Sequence, residues 1–106
     1  MAEKRTSVKK IAQAYIAALK KSHIHVLRAF LFGSYAQHRF DENSDIDIAI
    51  VSNDFSGNRF SDRRVIVPLR RSIDKRIDPL PYRPEDFNES DPLVSAILKT
   101  GIQIDQ

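Results

Sequence analysis

Gly33-Ser34-Tyr35-Ala36, and beyond it Asp45-Ile46-Asp47-Ile48-Ala49-Ile50-Val51: a glycine-serine bend leaves one apolar run, and two alternating carboxylates open the next. Upstream, Val26, Leu27, Ala29, Phe30, Leu31 and Phe32 are nearly continuous, broken only by Arg28. Bounded by a glycine, such a run reads as a buried strand. Gly33 admits backbone angles closed to other residues and lets a ligand approach the main chain.

If Ser34 starts a short helical stretch through Tyr35-Ala36-Gln37-His38, its free N–H groups make an anion site suited to phosphate. The Ser34 hydroxyl adds a further contact. On the second strand side chains alternate, so Asp45 and Asp47 fall on one side, about 7 Å apart. Ile46, Ile48 and Ile50 take the other side, while Ala49 and Val51 continue the aspartate face into apolar territory. Hard carboxylate oxygens beside a phosphate cradle suit Mg²⁺, which binds one or two carboxylates plus substrate phosphates. A divalent cation also removes the repulsion between the two charges.

A third carboxylate is sought among Asp54, Asp62, Asp74, Asp78, Asp86 and Asp91. Asp78 is preferred because Pro79 pushes it into extended angles. Pro79 and Pro81 confine Arg76-Ile77-Asp78-Pro79-Leu80 to a sheet edge or strand end.

Around this centre the chain alternates helices and strands. Val8, Ile11, Ala12, Tyr15, Ile16 and Leu19 recur at helical spacing and predict an amphipathic helix over 7–22, with Tyr15 in the core. Strands are expected near 26–32, 46–52 and 76–81, with a polar connection over 52–58. Val65, Leu69 and Ile73 suggest a helix over 61–74 that bends at Pro68. Pro84 opens a helical turn at 85–87. Asp91-Pro92 starts a last helix that Lys99 and Gly101 end, before a short strand carrying Ile102 and Ile104. The fold class is therefore α/β (α+β): a small mixed sheet of about four strands packed with helices, in one domain spanning 1–106.

The 106 residues carry a net charge of +3, an attraction for phosphates or an acidic partner. Basic pairs such as Lys20-Lys21, Arg63-Arg64 and Arg70-Arg71 are interspersed with acids and read as solvated helix faces. No aromatic residues are spaced among them as a stacking platform, so nucleic acid is not the expected partner. No apolar run reaches membrane length and no cleavable leader is evident, so a cytoplasmic location is expected. With no cysteine, disulfides and thiolate metal sites are excluded.

Gly33-Ser34-Tyr35-Ala36 with Ser44-Asp45-Ile46-Asp47-Ile48-Ala49-Ile50-Val51 resembles the defining motif of the minimal nucleotidyltransferases, small members of the DNA polymerase β-like superfamily. Arg76 to Pro81, Pro84 to Phe87, and Pro92 through Ile102 resemble that family's later segments. The resemblance implies a palm-like fold and transfer of a nucleoside monophosphate, AMP from ATP above all, to a hydroxyl acceptor. It implies that Asp45, Asp47 and Asp78 are catalytic and bind two Mg²⁺ ions, for which Mn²⁺ can substitute. Gly33 and Ser34 would hold the β/γ-phosphates. The family commonly has Arg-Gly where this chain has Gln37-His38, and Arg39 stands nearest as a compensating nucleotide contact.

Members of this class often occur beside a HEPN-type protein as the antitoxin half of a toxin–antitoxin pair, and some adenylylate a tyrosine on that partner. The resemblance thus implies a HEPN-type partner in a hetero-oligomer; a homodimer is left open. A second class is a binding module that neutralises the partner by contact with little catalysis. Retention of three candidate ligands favours the enzyme, and loss of the Arg-Gly pair favours the binder. The acceptor and the preferred base are not fixed by the sequence.

Overall fold

The computed structural model describes residues 5–36 and 44–104. Helix α1 (Arg5–Lys21) leads into strands β1 (Arg28–Phe32) and β2 (Ile46–Val51). Helix α2 (Arg59–Ile66) continues as a 3₁₀ turn (Val67–Arg70), followed by β3 (Ile77–Tyr82) and a second 3₁₀ turn (Pro84–Asp86). Helix α3 (Pro92–Thr100) and β4 (Ile102–Gln103) close the chain of elements. The strands form one mixed sheet in the order β3-β2-β1-β4. β1 is antiparallel to β2 and β4, whereas β2 and β3 run parallel. Among the described residues no helix is long and apolar enough to cross a membrane.

Alternation along β2 sorts the core into two faces. Ile46, Ile48 and Ile50 pack with Val8, Ala12, Tyr15, Ile16 and Leu19 of α1. Ala49 and Val51 join Phe30, Tyr82, Phe87, Val94 and Ile97 on the opposite face. Asp47 belongs to the parity of this second face, at the end where its apolar packing stops. Arg28, the interruption in the first apolar run, keeps its charge outside by laying its guanidinium over Phe30, 4.9 Å from the ring centroid. Tyr15 is core as expected, and its hydroxyl donates to the Ile66 carbonyl at 2.6 Å.

The segment around Pro68 departs from expectation. It does not bend as one helix over 61–74. Asn58 starts α2 early by accepting the Ser61 N–H at 3.0 Å, and α2 stops at Ile66. Pro68 has no N–H to offer the α-ladder, so the chain tightens into a 3₁₀ turn instead of crossing the proline. The buried face shifts with it: Ile66 is core while Val65 is 60% exposed. Leu69, within the 3₁₀ turn, and Ile73, just beyond it, still pack against the core.

β3 shows why two prolines fit a strand. Ile46 N–H donates to Arg76 O and Ser52 N–H to Tyr82 O, so even-numbered residues of β3 face β2. Pro79 and Pro81 lack donors only on the outer side, as an edge strand permits. Two of the outer carbonyls are covered by arginines. Arg70 Nη1 donates to Ile77 O at 2.7 Å and Arg63 Nη1 to Pro79 O at 2.8 Å. α3 begins and ends where expected: Asp91 accepts the Leu93 and Val94 N–H groups at its start, and Gly101 caps its end.

Candidate functional site

Strand register builds the site. Phe32 is opposite Asp47 in the β1–β2 pair, and Asp47 is opposite Asp78 in the β2–β3 pair. The bend after β1, the carboxylate of β2 and the carboxylate of β3 therefore meet at one end of the sheet. Asp45 lies exposed just ahead of β2, and Asp47 is half-buried at its second position. Two sequence-expected ligands are thus direct neighbours, with the third two residues away along the chain.

Gly33 has φ +73°, the left-handed region, and a Cβ there would overlap Oδ2 of Asp47. The glycine is required twice, by conformation and by the carboxylate that occupies the space. Gly33 to Ala36 form a turn in which Ser34 is half-buried. Of the helical stretch expected from Ser34, Tyr35 and Ala36 belong to this turn, and Gln37 and His38, like Arg39, lie outside the described residues.

The electrostatics arise from that crowding. Burial pushes the Asp47 carboxyl up to about 6, and the charges of Asp78 and then Asp45 add to the shift. Between about pH 4 and pH 6 the folded protein accordingly holds a proton that the unfolded chain, with Asp47 near its ordinary 3.8, has released. In EDTA, stability from this group is present at low pH and lost as pH rises from about 4 through 6. Because Asp47 is only half-buried, solvent screening reduces the expected loss to about 1–2 kcal/mol. Urea melts of wild type and Asp47→Asn across this range check it. Identical pH profiles would remove Asp47 as the cause.

The other candidate carboxylates have different work. Asp54 accepts the His25 N–H at 2.7 Å. Asp62 gathers the loop ahead of α2 by accepting from the Ser56 N–H and hydroxyl, both at 2.9 Å, and from Gly57 N–H at 3.2 Å. Asp74 grips Arg76, which draws its carboxyl below the usual range. Asp91 caps α3. Asp78 alone among these stands in register with Asp47.

Asp78 does not point freely into the site. Its Oδ1 accepts from Arg63 Nη1 at 3.0 Å. Among the described residues no group of three His, Cys, Asp or Glu side chains stands ready to hold a metal ion. The donor chemistry still fits one: hard oxygens, excess negative charge, and a half-buried carboxyl whose ionisation a divalent cation would favour.

Three residues of this centre escape sequence reasoning. Arg63 belongs to a pair read as a solvated helix face, yet only Arg64 fits that description, its guanidinium lying over Phe60. Tyr35 is fully buried beneath the bend, and Arg76 Nη1 reaches its hydroxyl at 3.2 Å. The Tyr35–Arg76 contact ties the bend to the start of β3 across 41 residues of chain. Nothing local in the sequence marks that pairing.

The family model "Polymerase beta, Nucleotidyltransferase" matches residues 13–104. Among solved structures, a candidate nucleotidyltransferase from Sulfolobus solfataricus aligns with TM-score 0.64 at 21% identity, over 93% of this chain and 80% of that one. A toxin–antitoxin structure with AMP-PNP aligns with TM-score 0.63 at 26% identity, over 85% and 68%. A mutant of the toxin–antitoxin MntA–HpeT aligns with TM-score 0.58 at 23% identity, over 88% and 70%. No curated protein matches the sequence.

Proposed function

Because the chain belongs to the polymerase beta nucleotidyltransferase family, we propose that it moves AMP from ATP to a hydroxyl of a partner protein, as the antitoxin of a toxin–antitoxin pair. The observation that carries this reading is the register of Asp47 with Asp78 beside the Gly33 bend. The toxin–antitoxin and AMP-PNP neighbours support the partner and the nucleotide. A tyrosine of a HEPN-type toxin is the proposed acceptor.

In this reading the N–H groups of the Gly33-Ser34 bend hold the β/γ-phosphates, and Arg39 adds a contact to the triphosphate. Asp45, Asp47 and Asp78 hold two Mg²⁺ ions. When bound, the ions supply charge neutralisation at the α-phosphate and at the departing pyrophosphate. Asp78 receives the acceptor proton. The acceptor oxygen bonds to the α-phosphorus as the bond to pyrophosphate breaks.

A second reading has a specific observation behind it. With Asp78 tied to Arg63 and no three-carboxylate group assembled among the described residues, a module that neutralises its partner by contact alone would look like this. Incubation with α-labelled ATP and Mg²⁺, with and without the protein encoded next door, separates the two. Label on that neighbour, lost with Asp45→Asn, supports transfer. A tight unlabelled complex supports the binder and overturns transfer.

A further inference from the structure

We propose that Arg63 is a positioning residue for the third carboxylate: it fixes one oxygen of Asp78 so that the other is presented to the acceptor side of the site. This rests on the transfer reading. The geometry is a clamp. One nitrogen, Arg63 Nη1, donates to Asp78 Oδ1 at 3.0 Å and to the carbonyl of the next residue, Pro79, at 2.8 Å. A side-chain oxygen and the adjacent main chain are thereby held to the same point, which removes rotation that Asp78 would otherwise have.

Such a clamp has something to resist. The Asp78 side chain is 44% exposed, and Asp47 lies directly opposite it with Asp45 near by. Like charges would drive the Asp78 carboxylate outward into water. The guanidinium opposes that motion, and the hydrogen bond it gives the carboxylate goes to Oδ1. Partners of this kind, bonded to a ligating carboxylate, commonly change metal affinity or activity about 10- to 100-fold when removed.

The molecule contains its own control. Arg70 Nη1 donates to the Ile77 carbonyl at 2.7 Å, so it holds the same edge of β3 from the same side without touching a carboxylate. A merely structural role for Arg63 predicts that Arg70→Gln and Arg63→Gln behave alike. A positioning role predicts that they differ.

Mn²⁺ titration followed by electron paramagnetic resonance, on the whole chain with AMP-PNP, reads ion occupancy without turnover. Wild type and Arg70→Gln are expected to bind two ions. Arg63→Gln should bind the first normally and the second about tenfold more weakly, with Arg63→Lys recovering part of the loss. In the labelled-transfer assay, kcat should fall about 10- to 100-fold in Arg63→Gln while KM for ATP stays within about twofold. The phosphate bend comes after β1, on the far side of β2 from Asp78. Unchanged or tighter second-ion binding in Arg63→Gln, or an equal loss in Arg70→Gln, overturns the positioning role and leaves the transfer reading standing. A wild-type chain that binds a single ion overturns both.

Discussion

Asp47→Asn is expected to lower AMP transfer by at least about a thousandfold while raising the melting temperature of the metal-free protein at pH 7.5 by several degrees. The first effect comes from losing a carboxylate proposed to hold both ions, whose charge stabilisation amounts to several kcal/mol at the reacting phosphate. The second comes from the same charge in the opposite role. Asp47 is half-buried beside Asp78 and Asp45, and burial with those neighbours raises its carboxyl to about 6. At pH 7.5 without metal it is ionised at a cost that a neutral amide of equal size avoids. Relief of about 1–2 kcal/mol moves the melting temperature of a chain this small by about 4–16 °C. A functional residue held in a costly state shows this opposition of activity and stability. Calorimetry in EDTA and the labelled-ATP assay on one preparation decide it. Retained turnover would end the assignment of Asp47, and a lower melting temperature would end the electrostatic account of its state.

The parts of this centre that were legible in the sequence are those set by local rules. Alternation places Ile46, Ile48 and Ile50 on one face and Asp47, Ala49 and Val51 on the other, and the two core clusters divide as that period requires. The proline spacing at 79 and 81 marks an edge strand, because a strand that lacks donors on one side cannot be central. Asp91-Pro92 marks the start of α3 through capping and fixed φ. Pro68 was visible as an interruption. A helix can bend around such a proline or end before it; here it ends at Ile66, which is buried while Val65 is exposed.

Contacts between distant segments were not legible. Arg63 and Asp78 are 15 residues apart, and Tyr35 and Arg76 are 41 apart. No periodicity connects them, since each pairing exists only after β3 has been laid parallel to β2. The same topology turns half of a basic pair inward and leaves the other half in water. Arg63 and Arg64 are indistinguishable by composition; they differ because successive residues of a helix point about 100° apart.

Gly33→Ala tests whether the bend and the carboxylate are one device. A side chain at φ +73° costs about 1–2 kcal/mol through contact with the following carbonyl. The new Cβ also meets Asp47 Oδ2, so either the bend opens or the carboxylate rotates off its position. A displacement near 1 Å at a reacting centre costs about a hundredfold in rate. The expected result is a stability loss of about 2–3 kcal/mol in urea, with transfer reduced by at least a hundredfold. Gly57 separates strain from collision. It has φ +91°, and a Cβ there meets only Cδ of Arg83, at 3.3 Å, the far part of a flexible side chain. Gly57→Ala should therefore carry a backbone cost of similar size and keep its activity. If Gly57→Ala lost transfer as completely as Gly33→Ala, instability alone would explain both. If Gly33→Ala kept full activity, the approach of the bend to Asp47 would have no part in catalysis.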